Sequence, residues 1–266
     1  MRRKIRPVQS ASDGIMAPEI LARQEIAGAL NWWIAGRRWI FAELVRKALP
    51  HSTGTVMEVG PGAGSNLEVL KFSEQIDIIV ADADPQVLAI CTDLGFGNAV
   101  LVHGAQLPVE DCCCDFVLAG DVLEHVQDHG RMLAEIYRVL KPGACAVITV
   151  PAFMSLWSEH DRRAGHQRRY YKSQLRDLVS DTPLVIRELS YFNWILFLPT
   201  LVVKKFMQLV VPKTYADATS TPTALNWVLT KLFYLDIAIA RKFPVPFGFS
   251  VLLVVERPSP QVIDED

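Results

Sequence analysis

Glu58, Gly60, Gly62 and Gly64 fall on alternate residues at the end of an apolar run, Val56-Met57-Glu58-Val59. Such a run reads as a short buried strand. The glycines after it let the chain turn tightly and approach a ligand with no Cβ in the way. A helix opening near Ser65-Asn66 would point its unpaired N–H groups at whatever sits over the turn. This is the geometry of a nucleotide-type cofactor site; its plainer alternative is a tight strand-to-helix turn that binds nothing. Asp82 follows Glu58 by about two dozen residues and closes a second apolar run, Ile76–Ala81. A carboxylate there can accept both hydroxyls of a ribose. Asp84, next to Pro85, is the better cap for the following helix. A second group lies further on, with His160, Asp161 and His166 as candidate bases and Tyr170 and Tyr171 nearby. Arg162, Arg163, Arg168 and Arg169 give this segment a positive field, suited to an acidic or phosphorylated acceptor or to solvated surface pairs.

The type of cofactor follows from what the turn has and lacks. A dinucleotide site wants a further glycine where Ser65 stands, and it has no use for a carboxylate at Glu58. A cofactor with a cationic amino-acid end does use one, while loop amides meet its carboxylate. S-adenosylmethionine has both groups and a sulfonium besides.

The elements that must position these residues alternate. After the glycine turn comes a helix over 65–74, then the strand Ile76–Ala81 and a helix through Val87, Leu88 and Ile90. Residues 99–103 make a third strand and Phe116–Ala119 a fourth, ending in Gly120-Asp121. Met132 to Leu140 is helical and stops at Lys141-Pro142-Gly143, before the fifth strand, Ala146–Val150. Leu184–Tyr191 and Phe249–Val255 read as the last strands. Strand–helix alternation implies βαβ units and a parallel sheet, with ligands at the carboxyl ends of the strands.

The run Leu107-Pro108, Asp115-Phe116-Val117, Val122-Leu123-Glu124-His125 and Leu140-Lys141-Pro142-Gly143, added to the glycine turn, resembles the type 11 branch of the class I S-adenosylmethionine-dependent methyltransferases. The resemblance covers about residues 54–151. It implies an α/β, Rossmann-like sheet of seven strands, mostly parallel with the last antiparallel. The chain's own pattern adds N-terminal helices over 17–49 and a helical insertion, about 194–246, between the last two strands. The resemblance also implies a methionine pocket at Glu58, Gly60, Pro61, Gly62 and Gly64, and a ribose ligand at Asp82 with Ala83 near the adenine. Ala105 and Gln106 would flank the adenine, and Asp121 and Val122 would sit beside the cofactor. Many relatives carry an acidic residue after the third strand; this chain has His103-Gly104-Ala105-Gln106 instead. On the acceptor side stand Trp33, Arg37, His125, Trp157, Arg169, Tyr170 and Tyr191. Trp32-Trp33 with Arg37-Arg38, and Gly165–Tyr170, resemble segments of a subset associated with polysaccharide or lipid-linked-sugar pathways.

Composition sets the outer bounds. The chain has 266 residues, half of them apolar, with a net charge of −2, which argues against a general nucleic-acid binder. Residues 1–16 read as a flexible basic tail and 17–257 as one domain: a helical lid over 17–49, a core over 54–193, a helical cap over 194–246 and a last strand over 247–257. Residues 258–266 read as a loose tail. Trp194 to Val211 is strongly apolar, but Pro199 and Lys204-Lys205 argue against a membrane span. A cap over the substrate, a homodimer surface or a helix resting on a membrane fits better. Cys112-Cys113-Cys114 lacks the separated pairs of a zinc site, and no metal is expected. An odd cysteine count without a secretion signal fits a cytoplasmic protein with reduced thiols, membrane-associated if the apolar segment rests on lipid. The partner expected is a small-molecule or lipid-linked acceptor.

Overall fold

The computed structural model describes residues 31–197, 199 and 223–260. The basic tail, the first part of the expected lid and residues 200–222 of the expected cap lie outside the described residues, as do residue 198 and the tail from 261. Seven strands form one sheet: β1 (Gly54–Val59), β2 (Ile76–Asp82), β3 (Ala99–Leu101), β4 (Cys114–Gly120), β5 (Leu140–Pro151), β6 (Val185–Phe192) and β7 (Ser250–Glu256). Their spatial order is β3-β2-β1-β4-β5-β7-β6. Pairing is parallel from β3 through β5, and β7 runs antiparallel between β5 and β6. The expected mostly parallel sheet with an antiparallel last strand is the one found.

The strand order reverses between β1 and β4, because β2 leaves β1 on one side and β4 joins it on the other. Connections from the two strands therefore diverge, and a crevice opens at their carboxyl ends. Glu58 pairs in register with Leu118 of β4 and Val80 of β2, so the ends of these strands lie level.

Side-chain alternation supplies both faces of the sheet. Val56, Phe116, Leu118 and Val147 face one apolar cluster, while Met57, Val59, Val117 and Ile148 face the other. The first cluster is covered by α1 (Trp32–Ala48) and by α7 (Thr223–Ala240), through Phe41, Phe233 and Ile237. The second is covered by α4 (His129–Val139) and α6 (Lys172–Ser180), through Leu133, Ile136 and Leu175. Asn226 Oδ1 accepts from the Trp32 N–H at 2.7 Å, and buried Asp236 accepts from the N–H groups of Asn193 and Ile195. α7, the described helix within the expected cap over 194–246, is thus fastened to the sheet.

The helix expected over 65–74 is a single turn, α2 (Leu67–Leu70). Asn66 at its start does not cap it; its amide is turned back to Glu58. α3 (Pro85–Asp93) follows β2 and is capped by Asp84, whose Oδ1 accepts from the Gln86 N–H at 2.8 Å. β5 starts earlier than expected, directly after α4, and Gly143 within it takes a φ of +83°.

Candidate active site

The glycine turn is pinned at its first residue. Gly60 N–H donates to the Ala81 carbonyl at 2.8 Å, tying the turn to β2. Gly60, Gly62 and Gly64 have φ of +66°, +56° and +74°, a region L side chains rarely enter. A Cβ at Gly60 would stand 2.7 Å from Cγ2 of Val122, so the turn lies directly against the exit of β4. Pro61 is buried within it. The turn is held by backbone packing rather than by the dipole of a long helix, since α2 has only one turn.

Beneath the turn, Glu58 is almost fully buried. Its Oε1 accepts from Asn66 Nδ2 at 2.8 Å, and its Oε2 is buried with no partner. Burial pushes the carboxyl up to about 7, against the pull of Asn66 and Arg37. A buried acceptor left open is costly, and it suits a cationic donor arriving from outside. On β2, Asp82 Oδ1 accepts from the Asp84 N–H at 2.8 Å, and burial raises its carboxyl to about 6. Ala83 is exposed beside it, and beyond β3 Ala105 is buried while Gln106 is exposed.

At the end of β4, Asp121 takes a positive φ of 57°. Its carboxylate receives Arg37 Nη1 and, at 3.2 Å, the Thr149 hydroxyl; Arg37 Nη2 donates to the same hydroxyl oxygen at 3.1 Å. Arg37 thus reaches from α1 to the strand ends, where a substrate residue was expected. Trp33, expected with it, packs instead among Phe192, Phe233 and Trp32 between α1 and α7.

The residues after β5 separate into two groups. Asp161 starts α5 (Glu159–Ala164) and is fully buried. It accepts from the Ser158 N–H and hydroxyl, from Arg169 Nε at 2.7 Å and Nη2 at 2.8 Å, and contacts His166 Nδ1 at 2.9 Å. Burial alone would raise this carboxyl, but the His166 and Arg169 hydrogen bonds overcome it and hold it well below the usual range. Asp161 is therefore an anchor and not the base expected there. Arg169 is committed to that anchor and to the Ala152 carbonyl, not to a substrate. Tyr170 corrects a third expectation. It is buried, its hydroxyl donates to the Leu123 carbonyl at 3.0 Å, and His129 Nδ1 lies 2.8 Å from the same oxygen.

The second group is less committed. His166 uses Nδ1 on Asp161 and keeps Nε2. His125 stacks edge-on against it, with ring centroids 4.7 Å apart. Burial and the neighbouring His166 lower the His125 imidazole to about 4. Glu124 is fully buried with both carboxylate oxygens unpartnered, and burial with nearby Asp121 raises it well above the usual range. His160 is exposed, its ring 6.2 Å from that of His166. Trp157 is half-buried at the end of the turn Met154–Leu156. Tyr191 lies buried at the end of β6, stacked 4.9 Å from Phe153, which leads on to Phe197.

A methyltransferase-domain family model of type 11 matches residues 57–148, the stretch that builds the turn, Asp82 and the β4 exit. Residues 57–148 thus carry a methyltransferase domain similar to the type 11 branch of the class I methyltransferases. It is 33% identical over 106 residues to a dimethylglycine N-methyltransferase of Parasynechococcus marenigrum, covering 37% of this chain and 38% of that relative's length. A malonyl-[acyl-carrier protein] O-methyltransferase of Marinomonas sp. aligns at 24% identity over 77% of this chain and 80% of its own. Among solved structures, phosphoethanolamine N-methyltransferase 2 of Haemonchus contortus with S-adenosylmethionine has a TM-score of 0.59 at 16% identity, covering 90% of this chain and 57% of that one. That likeness establishes the methyltransferase fold.

The methyltransferase domain's own residues fit this family's cofactor on two observations: the partnerless Oε2 of Glu58 and a turn at Gly60 with no room for a side chain. Three participants were not singled out by sequence as site residues. Asn66 and Glu124 lay inside the motifs without a role. Thr149 was the polar residue in an otherwise apolar strand, which is the signal that could have found it.

Proposed function

We propose that this domain transfers a methyl group from S-adenosylmethionine to an oxygen or nitrogen of an apolar or lipid-linked acceptor. The observation that carries the donor half is Glu58, a buried carboxylate with one oxygen unpartnered under a crowded glycine turn. Glu58 and Asn66 would meet the ammonium group, Asp82 the ribose hydroxyls, and Ala83, Ala105 and Gln106 the adenine. Arg37 and Thr149 fix Asp121 beside Val122. When bound, the cofactor supplies an electrophilic methyl on sulfonium, and the protein's work is alignment, exclusion of water and removal of any acceptor proton. That last task falls to the Glu124–His125–His166 group, because the oxygens of Asp161 are engaged and His160 is exposed.

The acceptor half rests on two surfaces. Phe153, Tyr191 and Phe197 form an aromatic wall where β5 and β6 end. α7 turns Leu225, Trp227, Val228 and Leu235 to solvent, and it is the one described helix long and apolar enough to cross a membrane by length and composition. Its buried Phe233 and Asp236 hold it to the protein, which favours lying on a lipid surface over crossing it. The acceptors named for the relatives differ among themselves, so none is carried over.

Calorimetry with S-adenosylmethionine and with NADH tests the donor half. Binding of the former is expected, weakened at least tenfold by Asp82→Ala, since about 1.5–3 kcal/mol accompanies a hydrogen bond to a charged group. Tight NADH binding without it would sink the reading. Release of S-adenosylhomocysteine with lipid-linked sugar, amine or hydroxyl acceptors tests turnover. Binding of the donor without turnover on any acceptor class would favour a cofactor-binding partner subunit.

A further inference from the structure

Glu124, His125 and His166 meet from two separate loops, one leaving β4 and one following α5. One ligand atom from each lies within 4.8 Å of the others. Two features set this group apart from an ordinary polar cluster. Glu124 is fully buried, and neither of its oxygens has a partner. His125 Nδ1 is likewise buried without one. Buried polar atoms are nearly always paired, so three unpartnered buried atoms on two adjacent residues point to a missing hydrogen-bond partner or cation.

The rest of the geometry favours a cation. His166 is fixed through Nδ1 by Asp161 Oδ1 at 2.9 Å, which leaves Nε2 as the free nitrogen. Asp161 is itself held by Arg169 and Ser158. A histidine whose far nitrogen is bound by an anchored carboxylate is the usual supporting arrangement for a metal-ligating imidazole. The centre of a triangle with 4.8 Å sides lies about 2.8 Å from each corner. Zinc–nitrogen and zinc–oxygen bonds are about 2.0–2.2 Å, so each ligand atom need move inward by less than about 1 Å.

We propose that Glu124, His125 and His166 bind a single first-row divalent cation of the zinc type, with at least one coordination position left for water or a substrate oxygen. Two imidazoles and one carboxylate select such an ion over magnesium or calcium, which prefer all-oxygen sites. Three protein ligands are the pattern of a catalytic rather than a structural zinc site. Joined to the methyl-transfer reading, on which this consequence alone rests, the ion would acidify an acceptor hydroxyl bound at the open position.

The test is titration of metal-stripped, untagged full-length protein with Zn²⁺ by calorimetry, without any methyl donor present. One equivalent is expected, weakened at least 100-fold in His166→Ala and in Glu124→Gln and unchanged in the control His51→Ala. Circular dichroism checks that each variant is folded, and the partly exposed His166 serves if Glu124→Gln does not fold. Co²⁺ in place of Zn²⁺ should give a visible absorption band that His166→Ala removes. Absence of stoichiometric binding, or binding that survives both substitutions, would overturn the site. Because no cofactor is used, failure here is separate from failure of the methyltransferase reading, which S-adenosylmethionine binding reports.

Discussion

Replacing Glu58 by Gln should make the protein more stable above neutral pH while weakening its cofactor binding. The magnitude follows from the raised carboxyl. Burial lifts Glu58 from 4.5 to about 7 in the folded state. In the unfolded chain the carboxyl titrates near the ordinary value, so between the two the folded state holds a proton that the unfolded state has lost. Stability contributed by this group is therefore complete below about 4.5 and falls as pH rises to about 7. Each unit is worth about 1.4 kcal/mol, so the loss by pH 8 is about 3 kcal/mol. Gln keeps an oxygen for Asn66 and carries no charge. Glu58→Gln is expected to match the wild type near pH 4.5 and to exceed it by about 2–3 kcal/mol at pH 8 in urea unfolding. Cofactor binding should move the other way. An ammonium group meeting Oε2 requires the ionised carboxylate, so wild-type affinity for S-adenosylmethionine should fall about tenfold from pH 7.5 to pH 6, with Asp82 adding to the loss at the lower end. In Glu58→Gln the affinity should be weaker at pH 7.5 and nearly flat over that range apart from the Asp82 contribution. Equal stability at pH 8, or an unchanged pH slope of binding in the variant, would refute the argument that Glu58 is an open buried acceptor.

Three further outcomes follow from packing and hydrogen bonding. Gly36→Ala should destabilise by about 1–3 kcal/mol although Ala favours helix, because its Cβ would stand 2.2 Å from the Phe233 ring; thermal unfolding measures this. Tyr170→Phe should cost about 1–2 kcal/mol, since the Leu123 carbonyl and His129 lose the hydroxyl between them, and denaturant unfolding checks it. Asp161→Asn should cost about 3–5 kcal/mol by leaving the Arg169 guanidinium uncompensated, with unfolding at pH 7 as the readout. A cost under about 1 kcal/mol there would show that Arg169 finds another partner.

What could be read in the sequence divides along the range of the interactions. Glu58 with the glycine turn on β1, and Asp82 on β2, each depend on backbone geometry within a single strand and its exit, so each is a local pattern in the sequence. The apolar runs likewise marked the strands themselves, because a strand buried on both faces is a local pattern. The acceptor side depends on contacts that no local pattern encodes. Asp161 meets Arg169 only because Gly165 ends α5 at a φ of +75° and returns the chain over the carboxylate. The Tyr170 hydroxyl reaches a carbonyl 47 residues away, and Arg37 reaches a hydroxyl 112 residues away. Local chemistry suggested that Asp161, Arg169 and Tyr170 face a substrate. Their burial shows each satisfied by its own protein.

That satisfaction has a consequence for where the chemistry sits. A polar group with all its partners supplied is fixed in place and has little left to offer a ligand; a buried group with open atoms is the reverse. In the domain's crevice the open atoms fall at two places, Oε2 of Glu58 under the turn and the Glu124–His125–His166 cluster past the end of β4. Asp121 stands between them in sequence and is locked by Arg37 and Thr149. The locked residue sets the geometry, while the open ones on either side have atoms left to offer a ligand. The first open place suits a cation that belongs to the methyl donor. The second suits a separate cation or a proton, which is what an acceptor hydroxyl must give up. A single crevice with two unfilled demands for positive charge is therefore better matched to group transfer between two ligands than to the binding of one.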